Sequence, residues 1–141
     1  MSSLLFKQLN EGWNAEPNAP EPEVAVCESQ VQLKFYLNPY MYVAKVGEVG
    51  CLIFNDCARW RLGYTNDHGW YLGQCRYSDC APAWGEFYEI IGKDDLRMRP
   101  VDWQTPESPG AGERHFLFYL RDETFECIAA DWKFERDASA A

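Results

Sequence analysis

Three arginines, Arg59, Arg61 and Arg76, sit in a stretch otherwise rich in Trp, Tyr and Leu. A guanidinium presents a planar fork that matches a carboxylate or a phosphate, so arginines gathered on one surface are suited to orienting an anionic group. Asn66-Asp67-His68-Gly69 has turn chemistry, and the flanking residues 58–65 and 70–77 carry β-formers, so the stretch reads as a hairpin. With Asp67 and His68 at the tip, Trp60 faces Cys75. Ala58, Trp60, Leu62, Tyr64, Tyr71, Cys75 and Tyr77 then share one face, and Arg59, Arg61, Gln74 and Arg76 share the other. A bulge at Gly69 slips this pairing by one residue. In the first register Arg59 opposes Arg76, and opposed like charges call for an anion nearby. Either a ligand supplies it, or Glu86, Glu89 or Glu126 does from a neighbouring strand.

Other chemistry-bearing residues fit familiar sites less well. Five residues separate Cys51 from Cys57 and four separate Cys75 from Cys80, which is not the usual pattern of a zinc site, even with His68 and His115 added. No metal and no cofactor are expected. Asp67 and His68 are adjacent and project apart, so they make no acid–base relay. His115 opens an apolar strand. Glu86 stands between Trp84 and Tyr88 on one strand face, where apolar surroundings raise a carboxyl pKa. No nucleophile motif accompanies these residues, and no catalytic residue is assigned.

The aromatic residues around these arginines are the stronger signal. Trp60, Tyr64, Trp70, Trp84 and Tyr88, with Arg59, Arg61, Arg76 and Glu86, have the composition of a pocket: apolar walls with a few placed polar groups. The same residue types also fill cores and enrich protein interfaces.

The chain has 141 residues and a net charge of −9, with 16% aromatic residues. That length suits a single domain, 1–141, burying about 68% of its unfolded surface. The charge is uneven: residues 1–28 carry −4, residues 29–121 carry −1 and residues 122–141 carry −4. Such a balance argues against direct nucleic-acid binding. No run of 18 apolar residues is present, so no membrane span is expected, and the N-terminal residues lack a signal-peptide core. A cytoplasmic protein with reduced cysteines is the expectation.

The elements that must position these residues are strands. Val31, Leu33, Phe35 and Leu37 alternate with polar neighbours. Further strands are expected at Leu4–Leu9, Val24–Cys27, Tyr40–Val46, Glu48–Phe54, Trp84–Ile91, His115–Arg121 and Thr124–Phe134. A Pro-rich surface segment covers 14–23, a long loop, functional or mobile, covers 100–113, and a frayed tail covers 136–141. No helical period is evident. The fold class is therefore all-β, a single-domain antiparallel β-barrel or sandwich of about 8–9 strands with meander-like links and little helix.

Three functions follow as expectations. The first is non-enzymatic binding of a small apolar or anionic ligand near residues 60–91. The second is an acidic protein-interaction module, an inhibitor or adaptor, and the third a small enzyme using Glu86 or His115. A homodimer through an exposed edge or aromatic patch is expected with the first. A cavity lined by Trp60, Trp70 and Trp84 favours the first; a filled interior with an exposed aromatic patch favours the second; a carboxylate and a histidine meeting in a cleft favour the third.

Overall fold

A computed structural model describes residues 4–63, 83, 85–92 and 102–137. Tyr64, Trp70, Arg76 and Trp84, the 66–69 turn and the 93–101 segment lie outside the described residues, as does the end of the tail from residue 138.

The described residues form nine strands and no helix. These are β1 (Leu5–Gln8), β2 (Glu23–Cys27), β3 (Gln30–Tyr36), β4 (Val49–Asn55), β5 (Arg59–Gly63), β6 (Phe87–Ile91), β7 (Arg114–Tyr119), β8 (Thr124–Ala129) and β9 (Asp131–Asp137). They build a five-stranded sheet in the order β1-β6-β7-β8-β5 and a four-stranded sheet in the order β2-β3-β4-β9, antiparallel throughout. The sheets do not close into a barrel; they pack face to face in a sandwich-like arrangement. The meander holds for β2-β3-β4 and for β6-β7-β8, while β1, β5 and β9 join at the edges.

The alternation that marks each strand also decides which face it buries. Val31, Leu33 and Phe35 of β3 and Leu52 and Phe54 of β4 meet Phe87, Phe116, Phe118 and Phe125 of the other sheet. The rings interlock at centroid separations of 5.3 Å for Phe35–Phe118 and for Phe54–Phe116, in the tilted and edge-on arrangements aromatic pairs prefer. Trp13 closes one end, stacked on Phe134 at 4.0 Å. Among the described residues these side chains form one continuous buried cluster.

Two expected strands are corrected. Tyr40–Val46 is a loop, because the Asn38 side chain accepts the backbone N–H of Tyr40 and Met41 and bends the chain where a ladder would begin. Thr124–Phe134 is two strands in two sheets. The chain crosses at Ala130, whose N–H donates to the Asn55 carbonyl, so β8 ends in one sheet and β9 starts in the other.

The Pro-rich segment is tied down rather than loose. Glu16 N–H donates to the Tyr36 carbonyl, Asn38 N–H to Asn14, and Tyr36 N–H to Pro20. Part of the 100–113 loop is fixed as well: Gly110 N–H donates to the Cys57 carbonyl and Gly112 N–H to that of Asp56.

Candidate functional site

The outer face of the five-stranded sheet carries a charge network. Arg59, Arg61 and Gly63 on β5 stand opposite Ile128, Glu126 and Thr124 on β8, and His115 and Leu117 of β7 lie opposite Ile128 and Glu126. Arg61 Nη1 donates to Glu126 Oε1 at 3.1 Å, and its Nε and Nη2 donate to the two Asp102 oxygens at 2.9 and 3.1 Å. His115 Nε2 meets Glu126 Oε2 at 2.8 Å. A carboxylate engaged by an arginine accepts only, so the Nε2–H of His115 donates this bond. Gly63 makes room for the arrangement: a Cβ there would come within 2.6 Å of Arg61 Nη2. Burial works against the Arg61 charge, but the Asp102 hydrogen bonds and the Glu126 and Asp102 carboxylates outweigh it and hold the guanidinium above its ordinary pKa.

This geometry constrains the arginines named from the sequence. The fork of Arg61 is filled by two carboxylates. Arg59 lies two residues away on the same face. Trp60 lies on the opposite face, packed against the main core. Its N–H donates to the Gln104 carbonyl and its carbonyl accepts from Gln104 N–H, while Cys127 of β8 is its partner on the other side. Both sides of β5 are therefore occupied at Trp60; Cys75, its partner in the first of the two hairpin registers, lies outside the described residues. Asp102 and Gln104, both remote in sequence, were not picked out by spacing.

Glu86 is engaged elsewhere. It accepts from Asn10 Nδ2 at 2.6 Å and from Gln8 Nε2 at 3.0 Å. Tyr88 is buried on the outer face and donates its hydroxyl to the Ala83 carbonyl; burial first, and then the Glu86 charge, raises its pKa. A histidine and a carboxylate do meet, at His115 and Glu126, but their side chains are 3% and 1% exposed and the carboxylate is shared with Arg61. Among the described residues no group of three or more His, Cys, Asp or Glu is placed to hold a metal. No disulfide joins Cys27, Cys51, Cys57 and Cys127.

A second feature lies at the end of the four-stranded sheet. The 38–48 loop displays Tyr40, Met41, Val43 and Val46 at 68%, 80%, 89% and 86% exposure. The loop is pinned while it does so. Arg136 Nη1 donates to the Val43 carbonyl at 2.8 Å and to Glu48 at 3.2 Å, and Glu48 accepts the Lys45 N–H. Beside it runs a groove of about 550 Å³ lined by Tyr36, Leu37, Val46 and Val49 together with Glu16 and Glu21. Two smaller concavities adjoin it: one shares Glu16, the other shares Glu21, Tyr36 and Val49. Together they follow the Pro-rich segment. Between Lys7 and Lys34 the chain holds five glutamates and no Lys, Arg or His, while Lys34 and Arg121 line the two adjoining concavities.

No protein-family model, curated protein or solved structure matches this chain. Among the described residues no helix is long and apolar enough to cross a membrane.

Proposed function

We propose that this chain is a protein-interaction module. It holds a basic polypeptide segment with apolar anchors in the groove between the 38–48 loop and the Pro-rich segment. The observation that carries the reading is the exposure of Tyr40, Met41, Val43 and Val46 on a pinned loop, two of which, Tyr40 and Val46, line a groove together with Glu16 and Glu21. Large apolar side chains grouped on a surface mark interaction sites. Fixing their backbone in advance lowers the ordering cost of binding. The carboxylates select a cationic partner and steer its approach.

The ligand-pocket reading receives less support. Among the described residues the core between the sheets is packed, and an Arg61 fork engaged by Asp102 and Glu126 is not available to orient an anion.

A random peptide library displayed on phage tests the proposal. Selection on the wild-type protein is expected to enrich sequences that combine Lys or Arg with aliphatic or aromatic residues. Synthetic peptides of that consensus should bind the Val46→Glu variant at least about tenfold more weakly. An acidic or uncharged consensus, or equal binding to Val46→Glu, defeats the reading.

A further inference from the structure

We infer that the bound segment continues out of the groove as a fifth strand of the four-stranded sheet, paired with the open edge of β2. This rests on the groove reading above and specifies how the partner is held.

Strand β2 is terminal in its sheet, with β3 on one side and, among the described residues, no strand on the other. Tyr36 N–H donates to the Pro20 carbonyl, so the even-numbered residues of β3 turn their amides toward β2. Their partners Glu23, Ala25 and Cys27 close that ladder. Backbone groups alternate along an antiparallel strand, so the N–H and C=O of Val24 and Val26 point to the open edge.

The side chains give a separate observation. Val26 stands opposite Val31, which is fully buried in the main core, and by register both face the other sheet. Val26 is nevertheless 40% exposed. An inward-facing aliphatic residue left partly uncovered at a sheet edge is what an added strand with an apolar residue beside it would bury.

The charge pattern selects the occupant. An edge left open is usually guarded by lysine, proline or a bulge. Within β2 there is no Lys and no Pro, with Pro20 and Pro22 just before it; the acids Glu21, Glu23 and Glu28 mark the strand and its flanks, and Glu23 lies opposite Lys34 of β3. A second copy of the same edge would set acids near acids, which is unfavourable. A segment alternating apolar and basic residues satisfies both faces: apolar side chains beside Val24 and Val26, basic ones beside Glu23. The groove meets this edge at Glu21, which lines both the main concavity and the one that reaches Glu23. One extended chain can therefore occupy both.

The test uses the full chain and a peptide selected from the random library. Amide hydrogen exchange is followed with and without peptide. The amides of Val24 and Val26 are expected to slow at least about tenfold on binding, while those of Ala25 and Cys27, already bonded to β3, change little. In parallel, Val26→Pro removes one outward N–H without touching the β3 ladder, a placement proline tolerates at an edge. It should keep the wild-type melting temperature and lose at least about tenfold in affinity, while Val26→Ala keeps most of it. Unchanged exchange at Val24 and Val26, with peptide binding still lost in Val46→Glu, overturns the added strand and leaves the groove standing. Equal binding to Val46→Glu removes the groove itself. Concentration-dependent protection of Val24 and Val26 without peptide means that a second copy occupies the edge, and also overturns the inference.

Discussion

Arg61 reaches Glu126 across the β5–β8 pair at 3.1 Å, with side chains that are 13% and 1% exposed. Two charges this far from water cost several kcal/mol each to desolvate, and their mutual attraction and added hydrogen bonds offset that. Asp102 supplies the further bonds for Arg61, and His115 does so for Glu126. Removing one partner leaves the others with an uncompensated buried charge. Glu126→Gln and Arg61→Leu are each expected to destabilise the fold by about 3–5 kcal/mol. The double variant should fall well short of the sum of the two. Urea denaturation of the three variants checks this, and single losses under about 0.5 kcal/mol would show that the network contributes nothing.

How much of this was legible beforehand divides along physical lines. Strand β3 was legible because Val31, Leu33 and Phe35 alternate with polar residues, and that local pattern is what one buried sheet face demands. The same reasoning failed at Tyr40–Val46. There the capping side chain of Asn38 competes with the ladder, and the apolar residues are displayed rather than buried. It failed again at Ala130, where no Gly or Pro marks the crossing. The backbone of the Pro109–Gly112 stretch and Asn55, both distant in sequence, fix that corner.

The charge network shows the same division. Glu126 was among the acids named for the arginines, with Glu86 and Glu89, because opposed like charges in a sheet call for an anion from a neighbouring strand. Asp102 carried no signal; it sits before a proline-rich stretch, and only the Trp60–Gln104 pairing brings it to Arg61. Trp60 and Arg61 were legible as residues of opposite faces, which follows from the strand period alone.

Stability should depend on pH through Glu89. Arg114 donates to both of its oxygens at 2.9 and 2.8 Å. That pairing outweighs burial and holds the carboxyl below its ordinary value of 4.5. The folded pKa lies below the unfolded one, so the stabilisation is fully present above the unfolded value and is lost as pH falls through the folded value. Because Arg114 is 43% exposed, the contribution is small, about 0.5–1 kcal/mol. Glu89→Gln should flatten that part of the stability profile below pH 4.5 and lower stability at pH 7 by a similar amount. Identical profiles for both proteins between pH 7 and pH 3 would rule out the contribution, since neutral pH lies well above the carboxylate range.

Gly110 and Gly112 hold the loop after Pro109 against the two corners where the chain changes sheets. A Cβ at Gly110 would lie 2.1 Å from the Asp56 carbonyl carbon, and one at Gly112 would lie 2.1 Å from that of Ala129. These obstacles are backbone, which cannot swing aside as a side chain can. Gly110→Ala and Gly112→Ala should each destabilise by at least about 2 kcal/mol, with loss of the Gly110–Cys57 and Gly112–Asp56 hydrogen bonds. Thermal unfolding checks the cost. Amide exchange at both glycines checks the cause, since a clasp that has released its bonds exchanges fast even where the rest of the sandwich is intact.

The 38–48 loop should behave in the opposite way. Val43 and Val46 bury little of themselves against the domain, and the loop backbone is held by the side chains of Arg136, Glu48 and Asn38 rather than by its apolar side chains. Val43→Ser and Val46→Ser should therefore leave the unfolding free energy within about 0.5 kcal/mol of the wild type. Arg136→Ala removes two bonds to the loop, to the Val43 carbonyl and to Glu48, and should release it. If the valines act as displayed anchors, the serine variants lose affinity for a basic apolar peptide without losing stability. Arg136→Ala should lose affinity as well, with little change in the chemistry offered, because the anchors are no longer preorganised. Isothermal titration separates the two effects: the serine variants should lower the apolar burial and hence the magnitude of the heat-capacity change, whereas Arg136→Ala should keep it and add an entropic cost. A large stability loss in the serine variants would mean that these side chains pack against the fold and are not a docking surface.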